Sequence, residues 1–429
     1  MHKKNIYLMP ILGLVFMIFI GWIVLMFPIC NNGNVTALDA LFSSVSASSI
    51  NGMSTVNISK EYTFLGQIVI IILTQISAIG LITFFSLILS VKKRKMTLYE
   101  TILLNNELKN NESGKLKQRI KEVISYTLII ELVGAIFLSI FLIPKLGIKN
   151  GVWYSIFHSI TAFCNAGFDL FGTNSLIEFS NNIYINFILI ILMLLGGIGF
   201  FVIEDLIECI KNKTFIHMKF QTKIVLTTTI FIYTISVIIL KVAEPSLTIF
   251  QALFISASSR TTGFTTANLA NKNALVKLII SILMMIGGAP GSTSGGIRIT
   301  SISVIFLITH ATLKNKKEIT CFYKKIDAET IKQAITNIVI CSLIVLIGIF
   351  AFSLVQNIDL INNVFMCVSA FSATGLSVLD VGLLNLTSKI ILMLLMVIGR
   401  VGPISLLSVF ILNKKENRNI EYVSGSLMI

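Results

Sequence analysis

Apolar runs of about 20 residues recur from one end of this chain to the other, the length a helix needs to cross the hydrocarbon core of a bilayer. They fall at 6–27, 64–91, 123–143, 183–203, 224–242, 274–309, 334–355 and 387–412. In hydrocarbon every backbone N–H and C=O must be satisfied inside the protein, which leaves helices or a closed barrel, and runs this long are helical. Only 13% of the 429 residues are charged, well below a soluble domain of that length. Mean hydropathy is +0.88. The chain reads as an all-α integral membrane protein of eight long helices with no separate soluble domain. The first run is too long for a signal peptide and no small-residue cleavage site follows, so it counts as a retained helix. The six cysteines are scattered, which points to neither a disulfide framework nor a zinc site.

Lysine and arginine orient the helices. Most of the 34 basic residues lie in the N-terminus, the loops 92–122, 204–223 and 310–333, and the tail 413–429. By the positive-inside rule these loops and both termini are cytoplasmic. The net charge of +14 therefore reflects topology and contact with membrane lipids, not nucleic-acid binding.

The gaps on the opposite side hold stretches too brief to span: TALDALFSSVSASS (36–49), VWYSIFHSITAF (152–163), LTIFQALFISASS (247–259) and LINNVFMCVSAFS (360–372). Such lengths suit re-entrant half-helices. Each runs into a glycine, in SINGM, CNAGF, RTTGF and SATGL, at Gly52, Gly167, Gly263 and Gly375. At the same distance before each glycine stands an apolar side chain: Phe42, Phe157, Leu253 and Phe365. The implied unit is outer helix, half-helix, glycine loop and inner helix, repeated four times around one central pore. The four pseudo-repeats span 1–91, 123–203, 224–309 and 334–412, followed by a cytoplasmic tail at 413–429.

Irregular backbone at membrane depth survives only where protein buries it or where it lines a watery cavity. Glycine allows the positive φ that turns consecutive carbonyls toward a shared axis. Rings of four carbonyls replace the hydration shell of a monovalent cation such as K⁺. The candidate filter is Ile50, Asn51 and Gly52; Asn165, Ala166 and Gly167; Thr261, Thr262 and Gly263; Ala373, Thr374 and Gly375. No Asp or Glu stands in these loops, where a pore for divalent ions would carry a ring of them. K⁺ is the expected transported ion, bound by backbone carbonyls, and no cofactor is expected in this chain. Asp169 and Asp380, just beyond two of the loops, either concentrate cations at the mouth or are solvated loop acids. His158, in the second half-helix, reads as a packing or hydrogen-bonding residue.

The sixth run is interrupted by GGAPGSTSGGIRIT (287–300). Gly287, Gly288, Gly291, Gly295 and Gly296 free φ and ψ, and Pro290 blocks a continuous helical ladder. Ser292, Thr293 and Ser294 can bond the freed backbone groups or water. The segment is expected to be a movable gate beneath the filter, with Arg298 as its tether; the plainer reading is a static break. Arg400 sits inside another apolar run, ILMLLMVIGRVGPISLL, where a buried cation marks function. A structural pair with Glu131 is one reading of it, and Gly399, Gly402 and Pro403 predict a bend that aims it. The patches QISAIG (75–80) and GGIGF (196–200) are accounted for by close helix packing.

Together TAFCNAGF (161–168), SSRTTGFTT (258–266), SAFSATGLS (369–377), GGAPGSTSGGIRIT (287–300) and IGRVGP (398–403) carry a family resemblance. The chain resembles the membrane subunit of the Trk/Ktr/HKT potassium transporters over essentially its whole length. Its helix count and short N-terminus look most like the Ktr branch. The first loop, SINGM, keeps its glycine but lacks the family's usual threonine, and Arg298 stands where the family more often has lysine. The resemblance implies potassium uptake by a multi-pass plasma-membrane protein, a homodimer with one pore per subunit. It further implies a cytosolic regulatory ring (RCK-type) that binds nucleotide, so that nucleotide sits only on the partner, and it places Arg400 below the filter as an electrostatic barrier. An intramembrane protease, suggested by STSG at 292–295, lacks a general base near the serines, so an enzyme is not expected. The alternatives kept open are a Na⁺ or NH₄⁺ conducting member of the same fold and a rocking secondary transporter with broken helices.

Overall fold

The computed structural model describes residues 4–80, 116–172, 175–260, 262–316 and 318–402. Four long leading helices run over Lys4–Met26, Leu116–Leu146, Phe220–Ala243 and Ala328–Val355. Three of them are long and apolar enough to cross a membrane, over Lys121–Leu146, Phe220–Ala243 and Ala328–Val355. Their outward faces carry Leu128, Leu132, Phe231, Ile238, Leu346 and Ile347, all exposed. A water-facing helix would put mostly polar residues there; apolar side chains predominate on these helices because the solvent on that side is lipid. The departure from all-helix is a small antiparallel hairpin, Thr320–Cys321 with Lys324–Lys325, between two helices.

Each leading helix is followed by a short one: Ala37–Ser49, Ile148–Phe163, Ile249–Ser259 and Leu360–Phe371. Two begin with a capping box, Thr36 with Asp39 and Thr248 with Gln251, which satisfies the first free N–H groups. The C-terminal parts of the short helices are buried, and hydroxyls fasten three of them to their leading helices. Ser44 donates to Ile18 O (2.7 Å), Ser159 donates to Glu131 O (2.6 Å), and Ser236 and Ser256 share a hydrogen bond. In the fourth, Asn363 donates to Ser353 Oγ (3.1 Å).

A third helix then follows in each quarter: Phe64–Ile79, Ile183–Ile198, Ala274–Met285 and Leu386–Val401. Each packs against the short helix of the next quarter, first on second, second on third, third on fourth and fourth back on first. The packing closes into a circle. Its interior holds the ends of all four short helices.

The sequence predicts unbroken helices over 64–91 and 183–203, a bend at Gly399 to Pro403 in 387–412, and a break in 274–309. The structure corrects the first two. Helices of all three runs stop, at Gly80, Gly199 and Gly402, with φ of 95°, 88° and 86°, values through which a right-handed helix cannot continue. After Gly199 the chain resumes as Phe200–Lys211, bent by 103° from the helix before it. The third quarter does break as its sequence requires, from Met285 to Ile299. Residues 81–115, Thr261, and 403–429 with Pro403, the far end of the last apolar run and the tail lie outside the described residues.

Candidate functional site

The loops after the short helices are built alike. Ile50, Asn165 and Ala373 take left-handed φ of 58°, 57° and 54°, and the glycines two places on take 90°, 67° and 85°, with Gly263 at 93°. Between them the backbone turns back onto its own helix. Asn51 N donates to Ser46 O, Ala166 N to Thr161 O, Thr262 N to Ser258 O and Thr374 N to Ser369 O, at 2.8 to 3.1 Å. Several buried serines and threonines of the short helices bond their own backbone, as where Ser49 donates to Val45 O (2.6 Å) and Thr161 to Phe157 O (2.9 Å), while the hydroxyls of Ser48 and Ser369 have no partner among the described residues.

The four loops meet. A Cβ placed on Gly52 would lie 2.0 Å from Ala166 O, one on Gly167 1.9 Å from Thr262 O, one on Gly263 2.1 Å from Thr374 O, and one on Gly375 1.9 Å from Asn51 O. Each glycine therefore rests against the carbonyl that precedes the next glycine, and the series closes on itself after four steps. Eleven of the twelve residues singled out in these loops thus lie in one ring; Thr261 falls outside the described residues. Asn51 ties the ring further, its amide donating to Ser369 O and Ala370 O at 3.1 Å. Such a ring holds four backbone oxygens in register with no carboxylate among them, an arrangement suited to a dehydrated monovalent cation.

A family profile described as TrkH, cation transport protein, matches residues 14–422, a span that takes in all four loops. The chain belongs to this family. It is 32% identical to the Ktr system potassium uptake protein B of Bacillus subtilis, across 97% of this chain and 95% of that protein. It is 30% identical to the protein of the same name from Vibrio alginolyticus, over 95% and 91%, and 30% identical to the potassium/sodium uptake protein NtpJ of Enterococcus hirae, over 91% and 89%. Among solved structures, the potassium transporter TrkH of Vibrio parahaemolyticus shares the fold, with a TM-score of 0.75 at 17% identity over 95% of this chain and 85% of that one.

In this TrkH-family chain the interrupted segment lies against the ring. A Cβ on Gly295 would stand 2.8 Å from Ala373 Cβ and from Ser372 O, so the segment passes directly beside the fourth loop. Thr293, fully buried, accepts from the Asn165 amide (2.8 Å) and reaches the carbonyls of Phe163 and Gly196. Ala289 N donates to Gly197 O and Phe200 N to Gly291 O, which pins the segment to the break in the second following helix. Gly287 N to Ile297 O and Ile299 N to Gly288 O zip its two ends together. Ser292 and Ser294 bond each other, and Arg298 donates to Ser294 O (3.0 Å) and Ala289 O (3.4 Å). Pro290 O and Gly291 lie against Gly199, and Gly296 takes φ of 74°.

Arg400 reaches the same segment. Its guanidinium donates to Thr293 O (2.8 Å) and to Ser77 O, joining the fourth following helix to the segment and to the first. Glu131 has other partners: its carboxylate accepts from Gln75 Nε2 (3.0 Å) and from the Cys164 thiol (3.5 Å), directly behind the second loop. His158 is buried, with Nδ1 on Tyr154 O (2.7 Å) and Nε2 accepting from Leu170 N (3.3 Å), so it braces the limb that rises from Gly167. Asp169 accepts from Phe171 N (3.1 Å); burial pushes its carboxyl up to about 6, against the lowering pull of the Ser175 hydroxyl and the Phe171 and Gly172 N–H groups. Asp380 is exposed and accepts from Gly382 N (2.9 Å), capping a short turn.

Gly80 and Gly199 escaped the reading of the sequence as helix ends, although a signal for them exists. A small residue precedes each by three places, in Ser77–Gly80 and Gly196–Gly199, as it does in Gly399–Gly402, where a bend was expected. A Cβ at Gly196 or Gly399 would fall 1.9 or 1.8 Å from the last carbonyl of a short helix, Phe163 O or Phe371 O. Ser77 instead donates its hydroxyl to the matching carbonyl, Ser48 O.

Proposed function

We propose that this chain takes up potassium across the plasma membrane, through a filter formed by the ring at Gly52, Gly167, Gly263 and Gly375. The closed series of glycine-to-carbonyl contacts carries the reading, because no packing requirement alone brings four backbone loops of unrelated helices onto one another at membrane depth. In it the four quarters of the chain, 1–91, 123–203, 224–309 and 334–412, are pore repeats with re-entrant short helices. K⁺ sheds water and is held by the carbonyls of Asn51, Ala166, Thr262 and Thr374, with Ile50, Asn165, Thr261 and Ala373 shaping the rows around them. The short helices direct their C-terminal dipoles at the ring and add to the attraction for cations.

The segment from Gly287 to Gly296 is the gate, and Arg400 both latches it and places a positive charge across the path. Opening requires the hydrogen bonds from Asn165 and Arg400 to Thr293 to be exchanged for others. The relatives' naming as parts of a Ktr system supports a multi-component assembly, here a homodimer on a cytosolic nucleotide-binding ring. The termini and the basic loops face that ring, with the tail 413–429 among them, and the nucleotide binds on the partner.

Passage of Na⁺ is the second reading. It is favoured by Asn51, where the other loops carry alanine or threonine, and by the likeness to a potassium/sodium uptake protein. Purified protein in liposomes, with K⁺, Na⁺ or NH₄⁺ as the sole permeant cation, separates the readings. Flux for K⁺ well above the other two is the expected result. Equal flux for all three, or solute-coupled movement that saturates at carrier rates, defeats the filter.

A further inference from the structure

The residue three places before each ring glycine closes its short helix: Ser49, Cys164, Arg260 and Ser372. Ser49 and Ser372 turn their hydroxyls back onto Val45 O and Val368 O, and Cys164 is engaged by Gln75 and Glu131. The third position differs in kind. Arg260 is 5% exposed, and its guanidinium makes no hydrogen bond or ion pair with any of the described residues; its Nε is fully enclosed without a partner. A desolvated cation in that state costs several kcal/mol, so the site calls for an occupant that the described residues do not supply.

Arg260 lines a small cavity with room for about one water-sized body. Its walls are Met193, Leu194, Gly197 and Ile198 of the second following helix, Ala257 of the third short helix, and Thr229 of the third leading helix. Thr229 is buried, and its hydroxyl also has no hydrogen-bond partner among the described residues. A guanidinium and a hydroxyl both offer hydrogens, and the other walls are largely apolar. Two residues that carry donors on the wall of one small space suit an acceptor, and the uncompensated charge selects one that is negative. Carboxylates and phosphates far exceed the space; a halide is the smallest common anion, larger than water, and the walls must give slightly to admit it.

We propose that Arg260 and Thr229 hold a halide-sized monovalent anion, chloride in the cell, behind the third loop of the ring. The anion cancels a positive charge that would otherwise stand a few residues from Gly263 and oppose cations there. That effect on K⁺ rests on the filter reading; the anion site itself does not.

Crystals of the full-length protein grown with bromide in place of chloride test the site directly. An anomalous bromine peak should lie within about 3.5 Å of the Arg260 guanidinium and the Thr229 hydroxyl, and Arg260→Gln should lack it. Thr229→Val, with less effect on charge, should lower the peak's occupancy and serves if Arg260→Gln does not accumulate. In parallel, calorimetry on the parent should find K⁺ bound severalfold more tightly in chloride than in gluconate, which the cavity cannot admit, and Arg260→Gln should bind it equally in both. A refined water with no bromine signal overturns the proposal, as does a peak that persists in Arg260→Gln. Equal K⁺ affinity in both salts for the parent overturns the link to the ring. A bromine peak in a protein that binds no K⁺ at the loops would instead refute the filter while upholding the anion.

Discussion

Replacing Gly263 by alanine tests the ring at one atom. The new Cβ would stand 2.1 Å from Thr374 O and 3.1 Å from the Gly375 carbonyl carbon, against an ordinary contact of 3.4 Å or more. No flexible side chain can give way there, since the neighbours are backbone, so the Thr374 carbonyl must retreat by roughly 1 Å. The residue would also be held at a φ of 93°, at a cost of order 1–3 kcal/mol. If one of four carbonyls leaves the ion, the loss is about 1.5–3 kcal/mol, taking a hydrogen bond to a charged group as the guide. At 1.4 kcal/mol for each factor of ten, K⁺ binding should weaken by about ten- to a hundredfold. The control is Gly33→Ala, which imposes a φ of 92° on alanine but meets nothing within 4 Å. Concentration-dependent K⁺ uptake into proteoliposomes, with Na⁺ as competitor, measures both affinity and discrimination. Gly263→Ala should lose both while Gly33→Ala keeps both. If the two variants match each other and the parent, the glycine ring does not bind the transported ion.

Arg400→Gln removes a charge and two bonds to carbonyls, and K⁺ flux in proteoliposomes should rise severalfold; slower flux with a markedly lower melting temperature would make Arg400 a structural strut instead. Deleting 291–295 removes Thr293 with its bonds to Asn165 and Arg400, so flux should rise and control by a cytosolic partner weaken, while K⁺ should still be preferred over Na⁺. A deletion protein that folds yet conducts and responds to nucleotide like the parent would show that the segment is no gate. Asp169, held near 6 by burial, is charged above that value and neutral below it. Uptake at limiting K⁺ should therefore fall as external pH drops through about 6, and Asp169→Asn should show the low uptake at every pH; an unchanged pH profile in that variant would assign the effect to another group.

Much of the site could be foreseen from the sequence, because each demand was local and recurred. The glycines at 52, 167, 263 and 375 stand out because loops at membrane depth admit few residues, and the short stretches before them are too brief to span. The breaks at Gly80 and Gly199 were hidden for the converse reason: apolar sequence continues across both, so composition registers no change where the backbone turns, whereas Pro403 beside Gly402 did announce a bend. GGIGF looks like a packing patch and is partly that, since Gly196 admits the Phe163 carbonyl, but Gly199 three residues on ends the helix. Arg400 illustrates a different limit. The sequence offered Glu131 as a partner by charge alone, whereas the guanidinium reaches carbonyls of residues 293 and 77, far off in the chain and unreadable without tertiary packing. Backbone acceptors leave no mark in a sequence.

The contacts of Asn165 bear on how filter and gate could work together. Its amide oxygen accepts from Thr262 Oγ1 (2.7 Å), in the third loop, while its nitrogen donates to Thr293 Oγ1 (2.8 Å), in the interrupted segment. Asn165 is itself a ring residue at a left-handed φ, fully buried. One planar group thus answers to two loops and to the segment beside them. From Thr293 the connection runs through Arg400 to Ser77, whose hydroxyl bonds the end of the first short helix at Ser48. If the segment withdraws, a buried amide loses an acceptor, at a cost of about 1–3 kcal/mol unless water enters to replace it. Closed segment and ordered loops therefore stabilise each other, and by the same amount in both directions. On the gate reading, a cost of that size leaves the withdrawn segment a minor state, and anything that binds that state more tightly, a cytosolic partner included, would shift the balance and loosen the ring with it.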